Sequence, residues 1–209
     1  MKTREKILLT SLEMFNSEGM LSVSTNHIAD QMDISPGNLY YHFSNKEEII
    51  IELFERFKKQ MEALFLAPSD RAMDIDDTWL WLHLMFETIW EYRFLYRNLV
   101  NLTQKNRSLR IHFNHILRQK KHAAIVFCSN LAKAEILQAD STEIAALAEN
   151  ITLVSTYWLN YSTIRNNDSA MEDDSDISLA VYQVMSLVIP MLREPEKSQL
   201  KIFSAAYLN

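Results

Sequence analysis

Thr-Asn-His-Ile-Ala-Asp-Gln-Met-Asp-Ile-Ser-Pro-Gly-Asn-Leu-Tyr-Tyr-His-Phe-Ser-Asn-Lys, residues 25–46, is the stretch whose reading decides the fold. Ser24 can cap a helix whose buried face is Ile28, Ala29 and Met32, because positions i, i+1 and i+4 share one side of a 3.6-residue period. That helix stops near Met32. Asp33 falls in the turn, where a short polar side chain tolerates a left-handed backbone better than most residues other than glycine. Ser35-Pro36 restarts the chain as N-cap and first helical residue, a position where proline has no amide hydrogen to lose. Leu39 and Phe43, four apart, anchor this second helix to a small core. Gly37, Asn38 and Tyr41 are left facing outward, with Tyr40 and His42 on the flanks. Ser44-Asn45-Lys46-Glu47 reads as a capping box opening a third helix, with Lys46 in its first turn.

Two short helices, a tight turn and a polar outer face make a helix-turn-helix layout. Thr25-x-x-Ile28-Ala29, Ile34-Ser35-x-Gly37-x-Leu39-Tyr40-x-His42-Phe43 and Lys46-Glu47-x-Ile49 resemble the N-terminal domain of the TetR family of bacterial transcriptional regulators. The resemblance covers roughly residues 4 to 60. One departure is Met32-Asp33, where the family usually has Ala-Gly. The resemblance implies an all-α fold: an N-terminal three-helix DNA-binding domain at 1–46 and a larger helical domain for effector binding and dimerisation at 47–209. A helix over 45–66 links the two. It also implies DNA contacts from Thr25, Asn26, Ser35, Gly37, Asn38, Tyr40, Tyr41, His42 and Lys46, to a near-palindromic operator bound by a homodimer. Among these, Asn38 is best suited to a base edge, since a carboxamide both donates and accepts. Tyr40 and Lys46 suit phosphate.

Composition agrees with the all-helical reading. Two glycines and four prolines in 209 residues are too few for a sandwich or barrel. Cys128 is the only cysteine, which rules out an intrachain disulfide and fits a reducing cytoplasm. The apolar run Ile7 to Leu12 is cut by Glu13, too early for a secretory signal. The longest uncharged run, Ile177 to Leu192, is shorter than the roughly 20 residues a membrane span needs. The net charge is -6, and residues 1–46 carry Lys2, Arg4, Lys6 and Lys46 against five carboxylates. DNA binding therefore has to rest on a few placed cations, helix N-termini and two copies of the head.

Outside the head, residues 3–18 form a first helix with Ile7, Leu8, Leu12 and Phe15 on one face and Gly19 as its left-handed stop. The long helix 45–66 turns Ile49, Ile50, Leu53, Phe57, Met61 and Leu64 inward and ends before Pro68. Ser69 to Asp77 reads as a polar loop. From Thr78 to Leu102, Trp79, His83, Phe86, Trp90 and Phe94 carry an aromatic stripe, either a pocket wall or ordinary core. Tyr92 to Ala134 contains no acidic residue and nine basic ones, Lys120 among them. Its two readings are a seat for an acidic effector or solvated faces offset by the acidic loop at Asp168 to Asp176. His112, His115 and His122 in this stretch are too far apart to share a metal ion, and no metal or cofactor is expected.

The helices Ser141 to Ile164 and Ile177 to Leu192 are apolar around most of their circumference. By the resemblance they pair with a second copy, with Trp158, Leu159, Tyr182, Met185 and Ile189 as candidate interface residues. Glu194 to Asn209 reads as a short docking helix. No Glu-x-x-His pair, glycine-rich phosphate loop or serine-centred elbow proposes an enzyme. The expected function is a repressor released from its operator by a small hydrophobic or acyl-type effector. The alternative is a DNA-bound interaction protein of the same fold with no effector, as in nucleoid-occlusion members.

Overall fold

A computed structural model describes residues 2–65, 75–165 and 175–205. The loop expected at Ser69 to Asp77 falls mostly outside these residues, as do the acidic loop and the end of the C-terminal helix. Among the described residues every regular element is helical, and one isolated bridge joins Leu137 to Leu192. The α-helices are α1 (Thr3–Met14), α2 (Thr25–Gln31), α3 (Pro36–His42), α4 (Lys46–Phe65), α5 (Ile75–Glu91), α6 (Arg93–Arg97), α7 (Leu99–Lys105), α8 (Arg107–Lys133), α9 (Ser141–Arg165), α10 (Ser175–Val188) and α11 (Glu196–Ala205).

Helix α1 continues into a π-turn over Phe15–Gly19, ended by Gly19 at φ +87°. The wider π-turn carries Asn16 inward to 6% exposure, and glycine then takes a left-handed angle that most side chains resist. Ser24 Oγ accepts from the His27 N–H and Ser35 Oγ from the Asn38 N–H, so α2 and α3 are capped as their sequences predict. Asp33 is left-handed at φ 53°, and Pro36 opens α3. The cap of α4 lies one residue later than expected. Asn45 Oδ1 accepts from the Glu48 N–H, and Glu48 reaches back to the Ser44 N–H. The box is therefore built on Asn45 and Glu48, because Glu48 rather than Glu47 occupies the third helical position.

One core runs without a break from Ile7 to Leu192. Helix α4 packs on α1, α5 and α8 and so belongs to both head and body. Two ion pairs, Arg4 with Glu52 and Arg56 with Glu5, fasten α1 to α4, and the Arg4 guanidinium lies over the Phe43 ring. In the body, Phe57, Tyr92, Tyr96 and Phe113 bring α4, α6 and α8 together around ring contacts of 5.5–6.3 Å. The aromatic segment from Thr78 to Leu102 is spread over three helices, with breaks at Tyr92 and Asn98.

Candidate DNA-reading head and its connection to the body

Helix α3 has seven residues, about 10 Å at 1.5 Å per residue, so its whole outer face can meet a groove at once. Leu39 is fully buried and Phe43 nearly so, which fixes the helix by its inner side. Ser35, Gly37, Asn38, Tyr40 and Tyr41 are exposed, and His42 is half-buried at the edge. Tyr41 is 85% exposed, and its ring lies 5.1 Å from that of His42. A large aromatic side chain held so far into solvent does nothing for the fold. On α2, Asn26 is exposed and Thr25 half-buried, and the Thr25 hydroxyl lies 3.0 Å from the Tyr40 hydroxyl. That bond holds Tyr40 across the gap between the two short helices. A Cβ added at Gly37 would meet only Ser35 Oγ at 3.9 Å, so open space lies above the start of α3.

Lys46 does more than the sequence foretold. Its ammonium donates to Met20 O at 2.9 Å and Val23 O at 2.8 Å, tying the segment before α2 to the start of α4. Two of its three N–H bonds are thereby used inside the head, leaving one for a phosphate. Arg4, counted among the few cations, is committed to Glu52 and Phe43.

Of the candidate effector residues, His83, Phe86 and Trp90 lie on α5 and Phe94 on α6. Phe94 is buried at the joint between head and body, 5.3 Å ring to ring from Phe15. Phe86 is core, whereas His83 and Trp90 lie at the edge of α5, with His83 3.2 Å from Glu87 and Trp90 stacked by Arg93 at 4.7 Å. The side chain of Trp79 lies outside the described residues. Breaking the chain at Tyr92 turns Phe94 off the stripe that an unbroken helix would have made.

The candidate dimer residues lie mostly inside their own chain. Trp158, Leu159, Met185 and Ile189 are at most 8% exposed within their own chain, and Tyr182 is half-buried. Helix α9, which carries Trp158 and Leu159, packs against α8 and against α10, which carries Tyr182 and Met185, and a pattern apolar all round cannot say which side is so used. The uncovered face of α9 instead carries Leu153, Tyr157, Tyr161 and Ile164, at 56, 44, 56 and 80% exposure and spacings of four, four and three.

Two features escaped the sequence reading. Asn16 Nδ2 donates to Glu91 O at 2.8 Å, its Oδ1 accepts from the Phe94 N–H at 3.0 Å, and Arg97 donates to Asn16 O at 2.9 Å. One carboxamide thus satisfies the last carbonyl of α5 and the first turn of α6, joining head to body. The second is Lys120, which is 3% exposed rather than on a solvated face. Leu109, Phe113, Ile116, Lys120 and Ala124 recur at three and four along the buried side of α8, a spacing visible in the sequence.

No helix among the described residues is long and apolar enough to cross a membrane, and they hold no cluster of three metal-ligating side chains. Residues 7–53 match a family model described as bacterial regulatory proteins, tetR family, and residues 56–200 match one described as bacterial transcriptional repressor. The HTH-type transcriptional regulator UidR of Escherichia coli is 34% identical over 74 residues, 35% of this chain and 38% of UidR. The regulator QacR of Staphylococcus aureus is 38% identical over 53 residues, 25% of this chain and 28% of its own length. These matches span less than half of either curated relative. A crystal structure of a TetR-family transcriptional regulator from Marinobacter aquaeolei is 34% identical, with a TM-score of 0.88 over 99% of both chains. The ketosteroid transcriptional regulator KstR2 of Mycobacterium tuberculosis, 16% identical, shares the fold at a TM-score of 0.69 over 92% of this chain and 96% of its own.

Proposed function

The chain belongs to the TetR family of bacterial transcriptional regulators, and from that premise we propose that it is a homodimeric repressor, released from a near-palindromic operator by a small hydrophobic or acyl-type effector. The observation that carries the reading is the outer face of α3, where Gly37, Asn38, Tyr40 and Tyr41 stand exposed around a helix pinned from behind by Leu39. Asn38 reads a base edge, Gly37 admits the sugar-phosphate backbone, and Tyr40, steadied by Thr25, donates to phosphate. Asn26, Ser35, Tyr41 and His42 border the same groove, and Lys46 gives its remaining N–H to phosphate. Residues 1–46 act as the reading head and 47–209 as the body, with α4 shared between them.

Two copies meet through α9, on the face of Leu153, Tyr157, Tyr161 and Ile164, with α10 alongside as the second helix of a four-helix interface. A two-fold pair of heads places its α3 helices in successive major grooves about one helical turn, roughly 34 Å, apart. The effector sits in the body and shifts α5 and α6. Asn16 passes that shift to the head, because it is bonded to both helices at once. A coupling of about 1–3 kcal/mol would weaken the operator complex several-fold to a hundredfold.

The test is operator selection from a random duplex pool, followed by gel shift. A near-palindrome that competes out random DNA is the expected result. Recovery of an asymmetric site, or of no sequence above background, would overturn the reading.

A further inference from the structure

We propose that Lys120 and the Tyr96 hydroxyl are the anchor for the carboxylate of an apolar organic acid bound inside the body, where α6, α8 and α9 meet. The inference rests on the reading that the body takes an effector, and gives that effector its head group. Lys120 holds a position on α8 that its neighbours Phe113, Ile116 and Ala124 fill with apolar side chains. Among the described residues its ammonium makes one hydrogen bond, 3.3 Å to Ser155 O, and it lies 5.1 Å from the centre of the Tyr96 ring. Among the described residues no carboxylate is paired with it. The ion pair nearest along the helix, Lys121 with Glu149, lies at the surface.

The Tyr96 hydroxyl is itself buried without a hydrogen-bond partner among the described residues. The helices around it offer little else. On α9, Thr152, Ser155 and Thr156 donate their hydroxyl hydrogens to carbonyls of their own helix, and Asn160 donates to Tyr96 O at 3.0 Å, fixing α6 against α9. On α8, Gln119 Oε1 is a buried acceptor without a partner among the described residues.

A buried cation with one long bond and a buried O–H with none are both costly, and both are donors. A carboxylate has two oxygens to accept from them and the single negative charge that one lysine can balance. A neutral ligand would leave the ammonium unmatched, and a cationic one would add repulsion. The ring cluster of Phe57, Tyr92 and Phe113 beside Tyr96 supplies apolar surroundings for the rest of such a molecule. Desolvation holds the Lys120 ammonium down to about 7, so an anion that restores its charge would bind with uptake of a proton.

The experiment is calorimetric titration of the full chain, without DNA, with straight-chain carboxylates of six to sixteen carbons, alcohols of equal length and alkyltrimethylammonium salts of equal length. At least one carboxylate should bind about tenfold or more tightly than its alcohol, the effect expected of a charged hydrogen bond, and the ammonium salts should bind no better than the alcohols. Lys120→Met should abolish the carboxylate's advantage, and Tyr96→Phe should reduce it, in proteins whose circular dichroism matches the parent. If no carboxylate of the series binds, or if its advantage survives Lys120→Met, the proposal is overturned. Because DNA is absent, failure here leaves operator binding untouched, and failure to find an operator leaves this titration interpretable.

Discussion

Replacing Lys120 with methionine is expected to stabilise the unliganded protein, by an amount that depends on pH in a definite direction. The side chain is fully enclosed, and burial lowers its ammonium from the ordinary 10.5 to about 7. At about 1.36 kcal/mol for each tenfold change in proton affinity, the charged form costs about 5 kcal/mol more inside the fold than in the unfolded chain. Methionine keeps most of the stem's volume and forfeits the bond to Ser155 O and the contact over the Tyr96 ring, so a net gain of about 2–4 kcal/mol is expected below pH 7. The unfolded chain binds the extra proton between pH 7 and 10.5, so the parent gains stability as pH rises through that window while the variant does not. The difference should therefore be full at pH 6.5, fall through pH 8 and 9, and change sign before 10.5, where the neutral lysine of the parent still keeps its bond to Ser155 O. Urea unfolding at one protomer concentration measures it, the concentration being fixed because association would also stabilise. A difference that does not change with pH, or a variant less stable than the parent at pH 6.5, would refute the assignment of an unpaired buried ammonium.

Asn16→Ala should lower stability by about 1–3 kcal/mol, since it strands Glu91 O and the Phe94 N–H, and should blunt effector release of the operator in a gel shift; release undiminished from the parent would remove the clasp from the signalling route. Tyr157→Glu puts a charge in the middle of the uncovered α9 face, and sedimentation should then show half the parent's mass with unchanged helix content; an unaltered mass would move the interface elsewhere. Asp33→Gly should raise the melting temperature slightly, by up to about 1 kcal/mol in stability, because the position is left-handed at φ 53°. A fall in melting temperature would show that the Asp33 side chain does more than tolerate the turn.

The head was readable from sequence because its signals are local. Ser24, Asp33, Ser35, Pro36 and Gly19 each act within four residues, and each stands where its chemistry placed it. The cap of α4 falls on Asn45 rather than Ser44, since Glu47 and Glu48 both offer a carboxylate. The body was legible only as a set of helices. Trp158 and Leu159 point into their own chain because α9 is apolar on several sides, and periodicity cannot say which side another helix of the same chain will take. Phe94 left the aromatic stripe because the chain turns at Tyr92, where no glycine or proline marks a break. Lys120 was hidden by its type. A lysine in a basic stretch reads as surface unless its three-and-four spacing with Phe113, Ile116 and Ala124 is weighed against its charge. Asn16 could not have been found, since its partners lie 75 to 81 residues away.

The central claim, that paired α3 helices enter successive major grooves, is tested most directly by dimethyl sulfate footprinting of guanine N7 atoms on a selected operator. Two protected patches about ten base pairs apart are predicted, on the same face of the duplex, and both should disappear with Asn38→Ala while the dimer persists. A single patch, or a footprint unchanged by Asn38→Ala, would contradict it.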